Sequence, residues 1–116
     1  MIQKLNAEQC GQAMKDGEFD AAIRNAAARV AIILTQSWCP QWPMMRSWLE
    51  KGAQEAGAEV FFVEYDREAF FEPFMAFKED TLGNRNVPYV RYYRDGSLVA
   101  QSNYLAKDGF VKNFSR

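Results

Sequence analysis

The chain has 116 residues and not one of them is histidine. Histidine is the usual metal ligand and the side chain that exchanges protons near neutrality. Imidazole-based zinc centres, His-assisted nucleophiles and Ser-His-Asp triads are therefore excluded together. Cysteine is nearly as scarce: Cys10 and Cys39 are the only two, too few and too far apart for a disulfide framework. Neither charge is in surplus, since 14 Lys and Arg against 15 Asp and Glu leave a net charge of −1. Without a basic stripe, neither a nucleic-acid partner nor an anionic membrane surface is expected. Long apolar runs are missing as well, at residues 1–8 and elsewhere, so no membrane association is expected and a cytoplasmic location is the default. Repeats, low-complexity segments and linkers are absent. What remains is 48% apolar and 25% charged, an ordinary globular composition. One domain over residues 1–116 is expected, with a core that needs no staples.

Within that composition the most informative stretch is Ser37-Trp38-Cys39-Pro40-Gln41-Trp42. It follows Val30-Ala31-Ile32-Ile33-Leu34, apolar at every position, the signature of a strand covered on both faces. It precedes Met44, Met45, Trp48, Leu49, Gly52, Ala53 and Ala56, which recur at helical spacing and stop at Gly57. A cysteine between a buried strand and a helix start lies where unpaired N–H groups and the helix dipole favour negative charge, which makes Cys39 the candidate nucleophile. Pro43 complicates the first turn. If Cys39 were the N-cap, residue 43 would donate the first intrahelical hydrogen bond, which proline cannot do. Either the helix begins a residue or two later or its first turn is distorted.

On the N-terminal side, residues 2–5 read as a short strand, and Asn6 as the cap of a helix ending at Asp16-Gly17. Ala7, Cys10 and Met14 share one face of that helix, which puts Cys10 on the packing side. Phe19, Ile23, Ala26 and Ala27 predict a second helix over 18–28. On the C-terminal side, residues 59–65 read as a second buried strand, parallel to the first because a helix joins them. Asp66 is the expected cap of the next segment. There Phe70, Phe71, Phe74, Met75 and Phe77 crowd a stretch interrupted by Pro73, which is expected to open a second helical turn at its first position. Those rings either pack on the sheet or form an exposed docking patch. Residues 89–94 and 97–102 flank Asp95-Gly96, a strong hairpin signal. Alternation along Arg91-Tyr92-Tyr93-Arg94, with no wider basic field, argues against a stacking platform for nucleic acid. A last helix over 107–114 buries Phe110, Val111 and Phe114, and Asn113-Phe114-Ser115 matches a glycosylation sequon by chance.

Trp38-Cys39-Pro40-Gln41, with Trp42 where a second cysteine would stand, resembles the active site of the thioredoxin family, Trp-Cys-x-x-Cys at a strand-to-helix junction. Further on, Gly83-Asn84-Arg85-Asn86-Val87-Pro88, a strand and the Asp95-Gly96 turn resemble the family's Gly-x-Arg-x-Val-Pro, strand and hairpin. The resemblance covers residue 30 to the end of the chain and, more loosely, residues 1–29. It implies an α/β thioredoxin-like fold, a central mixed β-sheet flanked by helices on both faces, with a cis proline at Pro88 facing the cysteine. It also implies thiol-disulfide exchange through Cys39 with protein or glutathione disulfides. Trp38, Pro40, Trp42, Val87 and Pro88 would be the substrate-binding residues. No metal and no cofactor is implied, apart from glutathione as an external thiol. Two departures matter. The second cysteine of the family is Trp42 here, and the family's buried aspartate is Ile33. With both gone, the means of closing and reopening an internal disulfide are missing. The resolving thiol has to come from glutathione, from another protein, or from Cys10 if its Cα lies within about 7 Å of that of Cys39. Glutaredoxins share the Cys-Pro opening and the Val-Pro turn, but their glycine-rich segment after the hairpin is not found.

Three functions fit these residues. One is a thiol protein that forms mixed disulfides through Cys39. Another is a redox-inactive module that keeps the groove and recognises a peptide or protein partner through Trp38, Trp42 and Pro88 by β-augmentation. The last is a sensor whose Cys39 is oxidised or glutathionylated without turnover. The Trp42 ring either covers Cys39, presents an apolar face to a peptide, or fills surface beside Trp38 and Pro43. Helical phase turns one of Met44 and Met45 into the core.

Overall fold

In the computed structural model, which describes residues 1–116, five strands build one mixed sheet: β1 (Ile2–Lys4), β2 (Arg29–Thr35), β3 (Ala58–Glu64), β4 (Tyr89–Arg94) and β5 (Ser97–Ser102). Their order across the sheet is β1-β3-β2-β4-β5. The central strand β2 is parallel to β3, with Ile33 beside Phe62, and antiparallel to β4, with Ile33 beside Val90. Its continuous apolar run has this cause: Val30, Ile32 and Leu34 point to one face and Ala31 and Ile33 to the other, and all five are fully buried. At about 1.5–3 kcal/mol for each large aliphatic side chain, β2 is the anchored part of the molecule.

Each face of the sheet carries its own core. On one, Val30, Ile32, Leu34, Val63 and Tyr93 are covered by Cys10 of α1 (Ala7–Asp16), Ile23 of α2 (Ala21–Arg24) and Phe74 of α4 (Phe71–Ala76). On the other, Ala31, Ile33, Val60 and Val90 are covered by Trp42, Met45 and Leu49 of α3 (Gln41–Ala56), and by Phe110 of α5 (Lys107–Asn113) with Phe114 beyond it. Helices therefore flank both faces, as expected. Asn6 and Gln9 form a reciprocal capping box at α1, with bonds of 2.8 and 2.9 Å. Gly57 ends α3 in the left-handed conformation, donating to Ala53 and Gln54. The β4–β5 turn has positive φ at both Asp95 (52°) and Gly96 (82°), as a two-residue hairpin turn requires. A side chain at Gly96 would also collide with Asn25, whose Oδ1 lies 2.5 Å from where a Cβ would be.

Several boundaries differ from expectation. The helix over 18–28 shrinks to the four residues of α2. Asp20 caps it late, by accepting from the Ala22 N–H, and Arg24 donates to the Phe19 and Gly96 carbonyls. The Ala28 carbonyl is claimed by the Asp95 N–H at 2.8 Å, which draws the chain out of the helix and into β2. Pro73 is the third residue of α4 rather than the first of a new turn, another position whose N–H has no intrahelical partner to lose. The chain then continues as a π turn, Phe77–Thr81. Phe74 and Phe77 are buried, with Phe70, Phe71 and Met75 packed against the same core, so the aromatic stretch is sheet packing. Arg91, Tyr92 and Tyr93 are buried too, which removes them as a surface for nucleic acid. No helix is long and apolar enough to cross a membrane.

Candidate functional site

Residues 36–40 connect β2 to α3. Pro40, in right-handed helical conformation, is the N-cap, and the helix begins at Gln41. Pro43 is consequently the third helical residue, and the later start removes the conflict its missing N–H would have caused. Cys39 lies one residue outside the cap. Its N–H donates to the Gln36 carbonyl at 3.2 Å, and its own carbonyl accepts from the Trp42 N–H at 3.1 Å. Of the first three helical residues, Pro43 has no N–H and that of Trp42 is already used, so Gln41 alone keeps one without a backbone acceptor. The helix end thus offers less than a full set of donors.

The Cys39 thiol donates to the Val87 carbonyl, with Sγ and oxygen 3.6 Å apart. The Val87–Pro88 peptide is cis, and Pro88 is buried. Cys39 itself is only 3% exposed and belongs to the same apolar cluster as Ile33, Met45 and Val90.

Both loops that meet at the sulfur are tied down by polar side chains from elsewhere. Asp66 does not cap the segment after β3. Its carboxylate accepts from the Ser37 N–H at 2.8 Å and from the Ser37 hydroxyl at 2.6 Å. The neighbouring Tyr65 hydroxyl accepts from the Gln36 amide at 3.1 Å, and Gln36 Oε1 accepts from the Trp38 indole at 2.5 Å. On the opposite loop, the Asn103 amide donates to Asn84 Oδ1 (3.0 Å), to the Asn86 carbonyl (3.2 Å) and to the Pro88 carbonyl (3.0 Å). Lys78, fully buried in the π turn, donates to the Asn84 carbonyl at 2.8 Å and lies 5.8 Å from the centre of the Tyr89 ring.

Burial lowers the Lys78 ammonium from 10.5 to about 8, against a smaller opposing effect of Glu79. Between these values the unfolded chain binds the proton that the folded one has released, so stability rises with pH there, by up to about 1.4 kcal/mol per pH unit. Cys10 works in the other direction above about 9, because its folded thiol stays protonated to about 12. In a Cys10→Ala background, urea midpoints measured from pH 7 to 9.5 should therefore climb, and Lys78→Met should flatten the climb. An equal slope in the two proteins would show that Lys78 is not its source.

Of the residues singled out in the sequence, Cys39, Val87 and Pro88 come together. Trp38, 65% exposed, and Pro40, also exposed, flank the sulfur along the chain. Trp42 neither presents a face to a peptide nor fills surface, and it shares the buried cluster of Cys39. It is 2% exposed and packs 5.5 Å from Phe62, and its indole N–H donates to Glu64 Oε2 at 2.8 Å. The Arg46 guanidinium covers both rings, 5.4 Å from that of Trp42 and 5.2 Å from that of Phe62. A side chain so enclosed has no face left for a peptide. Helical phase resolves the methionine pair, with Met45 buried and Met44 54% exposed. Cys10 is wholly buried beneath the opposite face of the sheet, its thiol pushed up to about 12 by burial first and Glu68 second. Asp66, Asn103 and Lys78 were not legible as site residues. The nearest signals were an acid directly after a buried strand and one lysine inside an aromatic stretch.

No protein-family model matches the chain, and no curated protein does. Solved structures do. Thioredoxin f from spinach chloroplast is 18% identical, with a TM-score of 0.67 over 98% of this chain and 84% of that one. The oxidised thioredoxin of Plasmodium falciparum is 11% identical, with a TM-score of 0.64 over the whole of both chains. A mutant thioredoxin from Halobacterium salinarum is 18% identical, with a TM-score of 0.64 over 82% of this chain and 79% of that one. At such identities the likeness establishes the fold.

Proposed function

We propose that this chain, a thioredoxin fold with one cysteine at its site, is a monothiol exchange protein that takes up glutathione from glutathionylated thiols. The observation that carries the reading is the pairing of Cys39 Sγ with the carbonyl of the cis Val87–Pro88 peptide. The only other thiol lies across the sheet. In the proposed step the Cys39 thiolate attacks the glutathione sulfur of a protein–glutathione disulfide. The protein–glutathione bond breaks, the protein leaves as a thiolate, and Cys39 carries the glutathione. Free glutathione thiolate then attacks that mixed disulfide, oxidised glutathione departs, and the Cys39 thiolate is restored. In the net exchange the protein sulfur is reduced, the sulfur of one free glutathione is oxidised, and the glutathione that left the protein ends in the oxidised dimer, so no second cysteine of this chain is required.

The test supplies a glutathionylated peptide and reduced glutathione, follows release of the peptide thiol, and traps intermediates for mass spectrometry. Turnover with glutathione on Cys39 is expected. Absence of any Cys39 adduct under conditions that glutathionylate a free cysteine peptide would overturn the reading.

The deep burial of Cys39 beside an exposed Trp38 favours a second reading, a partner-binding module in which the sulfur is silent. That reading requires partner capture to survive Cys39→Ser and to fail in Trp38→Ala. Capture lost with the sulfur would exclude it.

A further inference from the structure

Cys39 is only 3% exposed, which leaves a disulfide almost no line of approach to its sulfur. Exchange at Cys39 therefore needs a local opening, and β2 beneath the loop is too well anchored to supply it. Opening is confined to residues 36–40 and the facing turn. Within residues 36–40 the contacts are unequal. The Trp38 indole bond to Gln36 is internal to the segment and moves with it, as does the Cys39 N–H bond to Gln36. The Gln36 amide bond to Tyr65, the Trp42 N–H bond to the Cys39 carbonyl and the 3.6 Å Cys39 thiol bond to the Val87 carbonyl are single bonds, none to a carboxylate. Asp66 alone holds the segment to the body of the protein through two bonds to a charged acceptor, one from the main chain and one from the side chain of Ser37. Hydrogen bonds to an ionised group are about twice as strong as those between neutral groups. The Ser37–Asp66 pair is only partly buried, so water can take its place when it breaks.

We infer that Asp66 is a positioning residue that latches the Cys39 loop shut. In that role the Ser37–Asp66 pair, rather than the chemistry of the sulfur, sets how often Cys39 becomes reachable. As an account of how exchange is regulated, this rests on the reading of Cys39 as the exchanging thiol; the latch itself is a statement about access. It gives the site a means of reacting selectively. A partner that offers Asp66 or Ser37 a better contact, such as a donor from its own backbone, would open the loop as it binds, whereas small oxidants would meet a closed one.

The experiment measures iodoacetamide labelling of Cys39 and Cys10 separately, by peptide mass spectrometry, in the full chain. Asp66→Ala should raise the Cys39 rate roughly tenfold or more, the range that loss of hydrogen bonds to a charged group implies, with Cys10 still unlabelled. Asp66→Asn keeps an oxygen for the Ser37 N–H and an amide hydrogen for its hydroxyl, but both bonds become neutral, so it should restore only part of the protection. Ser37→Ala loses only the hydroxyl bond and should fall between Asp66→Ala and the unchanged protein, and it decides the matter alone if Asp66→Ala does not fold. An unchanged Cys39 rate in these variants would overturn the latch. So would Cys10 labelling that rises in parallel, since that reports global unfolding. Glutathione exchange measured on the same proteins separates the two inferences: faster alkylation without any exchange retains the latch and removes the proposed function.

Discussion

Cys39→Ser should reduce glutathione exchange to the uncatalysed background, whereas Cys10→Ser should leave it unchanged within the error of the assay. The contrast comes from where the two sulfurs lie. A thiol pushed up to about 12 is ionised to only about one part in ten thousand at pH 8, while a free cysteine is about one-quarter ionised. The deficit is thus three orders of magnitude. The rarer thiolate is the stronger nucleophile, and over this difference a Brønsted slope of about 0.4–0.5 recovers a factor of roughly 25–60. A net handicap of roughly 40- to 100-fold remains before access is considered. Cys10 is also completely buried on the face of the sheet away from Cys39, so it cannot meet the mixed disulfide without unfolding. Mild peroxide or iodoacetamide should likewise modify Cys39 well before Cys10. Comparable modification of the two, or a Cys10→Ser protein that accumulates the Cys39–glutathione adduct without turnover, would make Cys10 the resolving thiol and end the monothiol mechanism.

Arg91→Ala is expected to destabilise the fold by about 3 kcal/mol, the lower end of the cost of removing one partner from a buried ion pair. Arg91 is 6% exposed, and its guanidinium donates to Tyr93 Oη (2.8 Å), Tyr89 Oη (2.8 Å) and Glu18 Oε2 (2.8 Å). Tyr93 donates in turn to Glu18 Oε1 at 2.7 Å, and Tyr89 to Gln101. Removing the arginine orphans acceptor positions on both phenols. The Glu18 side chain is one-third exposed and can rehydrate, which keeps the figure at the lower end. Arg91→Met fills the volume and leaves the Tyr93–Glu18 bond in place, so it should cost distinctly less. Urea unfolding of the three proteins measures both effects. A loss below about 1 kcal/mol for Arg91→Ala, the size of one ordinary hydrogen bond, would mean that the cluster is not cooperative.

Much of this architecture could be read directly from the residues because its cause is local. The uniform run from Val30 to Leu34 has apolar side chains in both parity classes, so only a strand covered on both faces suits it. Asp95-Gly96 sets the hairpin because few residue pairs accept positive φ twice, and Gly57 ends α3 for a related reason. Cys39 was recognisable as the reactive candidate from its place between that strand and that helix. Where the reading missed, the deciding contact came from a distant part of the chain. Spacing alone favoured a long helix over 18–28, but the Ala28 carbonyl is taken by Asp95, whose approach no local pattern encodes. The position of Trp42 suggested a surface ring. Its indole N–H instead finds Glu64 at the end of β3, with Arg46 stacked above, and these partners make burial favourable.

By itself the sequence determined a strand covered on both faces leading into a helix, the β4–β5 hairpin, the absence of metal-ligand histidine and the presence of one cysteine at the strand-to-helix junction. Those properties stem from hydrophobic period, backbone allowance and chemical inventory, all carried by neighbours along the chain. Tertiary structure alone decided that Cys10 and Cys39 are separated by the sheet, that Trp42 is core, and that Asp66 and Asn103 hold the two loops meeting at the sulfur. Each of these depends on which side chains two remote segments bring within hydrogen-bonding distance. Such a bond contributes only about 1 kcal/mol, too little to leave a mark on composition or period, yet enough to settle where a loop rests.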